Sequence, residues 1–313
     1  MRRVPAASPP ADPPDHGRLA WLAGLVRAPR RSPTTQRVVL VAACAAFVVM
    51  AAIAIVTFPN EPEPEPRWAL LALVGIGGPL VTVLLNGLEY VQQGRLLGRR
   101  IAVGDALRVS VLGTAANLAP LPGSVLVRTR ALVDEQTGLK RAAGTTVTVG
   151  LAWLAASALA AGVLQPFAGR SVIGAVLVVV GLGLFGVVYG LVRGAVGSGA
   201  LARLGAIAAV ELATVAVGAL RLAGFVAGMG FDVSADQAVG LTLAGVLASA
   251  TGIFPAGIGV REGLVAAASP LLDLPAAVGL AAAAADRVAG LIVLAVLAAV
   301  IVGRRTESPQ FPH

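Results

Sequence analysis

A proline–glycine break, with an arginine six residues after the proline, occurs twice in this chain, each time inside otherwise apolar sequence. The first copy reads Pro122-Gly-Ser-Val-Leu-Val-Arg128, the second Pro255-Ala-Gly-Ile-Gly-Val-Arg261. Proline removes a backbone donor and clashes with the preceding turn, so neither stretch continues a regular helix. An arginine at the centre of a membrane helix costs roughly 2.5–3.5 kcal/mol on insertion scales. A chain tolerates that twice only where broken backbone and charge face protein or a wet cavity. Paired interruptions at corresponding positions of two halves point to a transporter's binding site. Each copy is also followed by the same entry into a long apolar helix, Leu-x-x-Ala-x-Gly, at Leu139 and Leu274.

Apolar residues fill 57% of the 313 positions and charged residues 13%. A soluble domain is about one quarter charged, so the composition predicts an all-α, polytopic membrane helix bundle. The glycines Gly186 and Gly190, and Gly224 and Gly228, have the spacing of a helix-packing face; ordinary glycine in a glycine-rich chain explains them equally. The net charge of +8 does not signal nucleic acid. The arginines lie in tails and short loops, and aromatics are only 4% of the chain. Such charge sets orientation by the positive-inside rule and meets anionic headgroups.

Cys44 is the only cysteine, and the two histidines, His16 and His313, sit in the tails. Zinc chemistry and Ser–His or Cys–His catalysis are therefore unsupported, and no carboxylate cluster suggests a metal. Neither enzyme activity nor a cofactor is expected.

Residues 1–37, rich in proline and arginine, read as a disordered cytoplasmic tail. Residues 38–303 read as the transmembrane domain and 304–313 as a second cytoplasmic tail. Helices are expected at Val38–Phe58 and Trp68–Val91, the latter kinked near Gly75, Gly77, Gly78 and Pro79, with an acidic polyproline-type loop, Glu61–Pro66, between them. Further helices are expected at about 142–163, 171–192, 203–229 and 275–302. Two broken elements complete the pattern: half-helices at about 105–118 and 123–133, and a stretch 238–272 cut at Pro255–Gly259. The first broken half spans about 105–163 and the second about 236–302.

Charge favours reading both broken elements as re-entrant hairpins. Lys140, Arg141, Arg193, Arg203, Arg304 and Arg305 then all face the cytoplasm, and Asp232, Asp236 and Asp273 face outward. Six spans, two hairpins of opposite entry and cytoplasmic termini result, as a multi-pass protein of the cell membrane.

Candidate substrate-binding residues follow from the breaks. In the second half they are Pro255, Gly257, Gly259, Arg261 and Glu262, where free amides at a half-helix start join Arg261 as an anion site. Glu262 suits the first turn electrostatically. Equally, Arg261 and Glu262 could pair structurally. The first half offers Asn117, Pro122, Gly123 and Arg128, with Arg130 too close in sequence to share a face with Arg128. Asp286 and Arg287 fall near mid-membrane in the last helix, where charges face the bundle interior. A buried network is expected in which Arg287 pairs with Glu262, Arg261 stays free for ligand and Asp286 turns to a neighbouring helix. Glu211 and Arg221 are ten residues apart, off a shared face, and each needs a partner elsewhere. Glu89 and Arg108 read as interface anchors.

Together, Pro255, Gly257, Gly259, Arg261, Glu262 and Arg287, with Asn117, Pro120, Gly123 and Arg128 in the first half, resemble the transmembrane region of lysylphosphatidylglycerol synthases and related flippase-like proteins. The resemblance covers about Glu89 to Arg304. It departs at Ser124, where that family usually has Glu, and at Leu151-Ala152, where a Glu-Arg pair is common. It implies movement of a lipid with a charged headgroup between leaflets, without the soluble synthase domain, for which only eight residues remain after Arg305. Membrane lipids are then the expected partners, with a homo-oligomer or a separate lipid-modifying enzyme as further possibilities. No phosphate-binding Gly-x-x-x-x-Gly-Lys-(Ser/Thr) loop is present, so ATP hydrolysis by the chain is not expected. An ion-coupled small-molecule transporter, a membrane-embedded transferase and a partner subunit without transport activity are the competing readings.

Overall fold

The computed structural model describes residues 65–116, 123–133, 137–250 and 259–306. The described residues form nine α-helices: α1 (Trp68–Leu96), α2 (Val103–Ala116), α3 (Gly123–Leu132), α4 (Leu139–Leu164), α5 (Ser171–Val196), α6 (Ala200–Gly228), α7 (Ala235–Ala250), α8 (Val260–Ala268) and α9 (Ala276–Thr306). The expected helix Val38–Phe58 and the Glu61–Pro66 loop up to residue 64 lie outside them. Four stretches are long and apolar enough to cross a bilayer: Trp68–Leu96, Leu139–Ala168, Ser171–Gly228 and Ala276–Ile301. The third holds both α5 and α6, separated by the 3-10 turn Gly197–Gly199, where Gly197 takes φ 66°. The chain is an all-α bundle of membrane-spanning character.

Few charges interrupt these helices, and large apolar side chains such as Leu73, Val179, Leu220 and Ile292 stay exposed on their outer faces. In lipid such faces need no protein cover. The interior is built from small residues instead: Ala152, Ala155, Ala156, Ala158 and Ala161 of α4 are buried. The closest seam joins α4 to α5. A Cβ on Gly162 would lie 2.7 Å from the backbone nitrogen of Val178, and one on Gly181 would lie 2.9 Å from that of Leu159. Of the two candidate glycine pairs, Gly224 and Gly228 do pack, against Val74 and Leu71 of α1, whereas Gly186 and Gly190 face open space.

Loop contacts sort the helix ends into two groups. The Arg67 amide donates to Gly228 O at 2.9 Å, setting the start of α1 beside the end of α6. At the other end of α1, Tyr90 and Val91 cluster with Ala106, Leu132 and Ala142, which bring together α2, α3 and α4. There Arg99 Nη1 donates to Leu132 O at 3.0 Å. Leu96, Val192 and Ala200 share a further cluster, so the end of α5 and the start of α6 join the same group. This end carries Arg95, Arg99, Arg100, Lys140, Arg141, Arg193 and Arg203.

The opposite end is acidic. Arg170, between α4 and α5, pairs with Asp236 at the start of α7 and with Asp273, just past the 3-10 turn Ser269–Leu272. Gln237 donates to Leu272 O at 2.8 Å. The outer ends of α7 and α8 are thus held together here, as those of α2 and α3 are held at the basic end.

Because the α4–α5 seam is backbone against backbone, neither helix can yield to an added methyl. Gly162→Ala is expected to lower stability in detergent by about 1–3 kcal/mol. Gly183→Ala, which meets open space, should be neutral or gain up to about 1 kcal/mol of helix propensity. Thermal unfolding of the purified variants measures both.

A three-arginine cluster as candidate functional site

The local fold of the second half begins at Gly259, whose φ of 84° suits a residue without a Cβ. Three residues on, Glu262 turns back, and its Oε2 accepts the Gly259 amide at 2.9 Å. That is the carboxylate half of a capping box. The other oxygen, Oε1, meets the guanidinium of Arg287 on α9. Arg261, about 100° round the helix from Glu262, reaches a different partner: its Nη2 lies 2.7 Å from Asp286 Oδ2. Asp286 uses its second oxygen on α6, where Arg221 Nη2 lies 2.6 Å from Oδ1. Arg221 also donates to Thr82 Oγ1 of α1 at 2.9 Å.

Three guanidinium groups therefore meet two carboxylates, drawn from α6, α8 and α9, with one positive charge in excess. Asp286 is 1% exposed and Glu262 fully buried, so dehydration is costly and each carboxylate needs its partners. The backbone makes room for them. A Cβ on Gly78 would sit 2.5 Å from Arg221 Cγ, and one on Gly245 would sit 3.1 Å from Arg261 Nε.

The cluster opens onto a cavity of about 180 Å³ lined by Thr82, Thr114, Arg221, Arg261, Asp286 and Arg287, among others. Thr114 stands near the inner end of α2 and Arg261 near the inner end of α8. Both broken elements thus contribute to one cavity.

The first half forms a second, smaller polar group. Arg128 on α3 pairs with Glu89 of α1 at 2.7 Å, both side chains largely buried. Gln93 Nε2 donates to the same carboxylate oxygen at 3.2 Å. Glu211 of α6 is buried with Glu89 and Arg128 as electrostatic neighbours.

Of the residues expected to form the site, Asn117, Pro122, Pro255 and Gly257 lie outside the described residues. Gly123 opens α3, and Gly259 opens α8. Arg128 faces the interior while Arg130 is exposed, as two positions about 200° apart on a helix allow. Arg287 pairs with Glu262 as expected, and Asp286 does turn to a neighbouring helix.

Three expectations need revision. Arg261 is not free, because Asp286 has two oxygens and serves two arginines at once. At the α8 terminus Glu262 already occupies one of the expected donors, the Gly259 amide. Glu89 is no interface anchor either: α1 runs on to Leu96, which draws residue 89 inside. Arg108, by contrast, is exposed and pairs loosely with Asp105 at 3.6 Å. Arg221, Thr82 and Glu89 escaped selection as site residues; for Arg221 and Glu89 the signal was an ionisable group within a long apolar run, and Thr82 carries no such signal. No family model, curated protein or solved structure matches the chain.

Breaking a buried pair by removing one partner leaves the other charge stranded. Asp286→Asn, which strands two, is expected to destabilise the fold by about 3–5 kcal/mol. Thr82→Val, removing one hydrogen bond to a charged group, should cost about 1.5–3 kcal/mol. Chemical or thermal unfolding in detergent ranks the two, and an equal effect would mean that Asp286 does not hold the cluster.

Proposed function

We propose that this chain moves a lipid with a charged headgroup between leaflets, the acidic group of the headgroup entering the three-arginine cavity. The observation that carries this reading is the shared cavity itself. The inner ends of both broken elements line it, and among the described residues three guanidinium groups there meet two carboxylates. Arginine offers forked donors that suit phosphate and carboxylate.

Cavity size favours a lipid over an enclosed solute. Small-molecule sites are commonly about 300–1,000 Å³, and the space here is about 180 Å³. It fits a headgroup acid whose acyl chains remain in the bilayer. The flanking helices α1 and α9 present exposed Leu80, Leu84 and Ile292, each adjacent in sequence to a residue that lines the cavity, which suits contact with lipid tails. An ion-coupled transporter of a small anion is the second reading, favoured by the same arginines and weakened by the same volume.

In this reading α2–α3 and α7–α8 are re-entrant hairpins entering from opposite faces. The tie of α2 to α3 at the basic end and of α7 to α8 at the acidic end supports it. The basic end is then cytoplasmic, together with both termini, in the cell membrane. The large basic cavity there, about 610 Å³ and lined by Arg95, Arg99, Arg100 and Arg203, suits anionic headgroups of the inner leaflet.

Two outcomes are expected. In reconstituted vesicles, Arg261→Gln should slow translocation of a phosphate-bearing fluorescent lipid about tenfold, the effect of one charged hydrogen bond, with the fold retained. Undiminished transport with unchanged lipid preference would remove Arg261 from the site. For orientation, a cysteine placed at Lys140 in a Cys44→Ser background should react with an impermeant maleimide only after cells are opened. Labelling of intact cells would overturn the hairpin topology.

A further inference from the structure

Glu211 has no role in the cavity, yet its position is the least explained in the bundle. It lies eleven residues into α6, about 16 Å along the axis, and is 1% exposed. Its Oε1 is buried without a hydrogen-bond partner among the described residues. The charged groups that face it are Glu89 from α1 and Arg128 from α3, and the contact of Arg128 goes to Glu89.

Among the described residues, the other helices packed on α6 bring no second cation to this depth. Lys140 and Arg141 of α4 and Arg193 of α5 are exposed at the basic end. Tyr189 of α5 packs in the apolar cluster that contains Ile207, and Tyr90 of α1 lies toward Arg99 and Arg128. Asp236 of α7 is held by Arg170 at the acidic end. Asp286 and Arg287 of α9 belong to the three-arginine cluster. Among the described residues, two carboxylates thus lie within the electrostatic reach of one guanidinium in an apolar interior, a conflict that one bound proton resolves.

We infer that Glu211 is a proton-binding site, built with Glu89 and Arg128, whose occupancy is coupled to that of the anion in the three-arginine cavity. The proton comes from water and forms one O–H bond on a Glu211 carboxylate oxygen; no other bond breaks. The two polar groups carry opposite excess charge, one negative in the first and one positive in the second. Binding a proton and an acidic headgroup together neutralises both. The same two helices run through both groups: α1 supplies Glu89 and Thr82, and α6 supplies Glu211 and Arg221. A shift of either helix acts on both sites. The coupling rests on the transport reading above, whereas the proton site itself does not.

The test therefore has two arms. In the first, infrared difference spectra of the purified full-length protein are recorded while pH is raised. The wild type is expected to show the carbonyl stretch of a protonated carboxyl group. Glu211→Gln should lose that band and Glu211→Asp should shift it. A band unchanged in both variants, or no band at all, overturns the proton site. If Glu211→Gln does not fold, the Asp variant alone decides.

In the second arm, vesicles carrying a fluorescent phosphate-bearing lipid are given a pH gradient. Translocation should accelerate in the wild type and lose that dependence in Glu211→Gln. Equal acceleration in both overturns the coupling, and a response to a sodium gradient in place of pH overturns the assignment to protons. A titrating band without any lipid movement supports the proton site and defeats its coupling to lipid.

Discussion

Asp286 holds two arginines from two helices with a single carboxylate. One oxygen meets Arg221 of α6 and the other meets Arg261 of α8, while its sequence neighbour Arg287 takes Glu262. A carboxylate has about four lone-pair sites, so it can serve two donors without strain. Three helices are thereby tied at one depth by charge rather than by apolar area. In lipid this matters more than in water, since burying apolar side chains there gains little from solvent. The surrounding sequence is arranged to permit the contact: glycine at 78 and 245 clears the paths of Arg221 and Arg261.

An excess of one positive charge marks this structural tie as a candidate site. A balanced pair would only lock the bundle, whereas a third guanidinium beside a cavity supports the anion site proposed above. The first half is the mirror case, with carboxylates outnumbering the arginine. Opposite imbalances on shared helices make each polar group sensitive to what the other holds, because rigid elements common to two sites carry a bias from one to the other.

The sequence made the bundle legible because apolar run length is a strong signal, and helix limits agree within a few residues. The first expected end of α1 was short: charge at Arg95 marks the interface, but the helix continues to Leu96 before the loop. Spacing also identified Glu262 and Arg287 as partners, since a short turn packs α8 on α9. What spacing could not decide was the partner of Arg261. Adjacent residues on a helix face different neighbours, and which neighbour α6 would present depended on its rotation. Arg221 and Glu89 were hidden for the same reason: their partners are 65 and 39 residues away in sequence. Such contacts arise from tertiary packing and leave no local period. The breaks themselves, with Asn117, Pro122, Pro255 and Gly257, fall outside the described residues, so their expected roles rest on sequence.

The α4–α5 seam has a mechanical consequence. Gly162, Gly174 and Gly181 bring the two backbones so close that neither helix can slide or roll without colliding with main-chain atoms. The pair behaves as one stiff body, a stator against which the rest must turn. Strain introduced at the cavity cannot be absorbed there. In the transport reading proposed above, any rearrangement that carries cargo past the three arginines falls to α1, α6, α9 and the two broken elements.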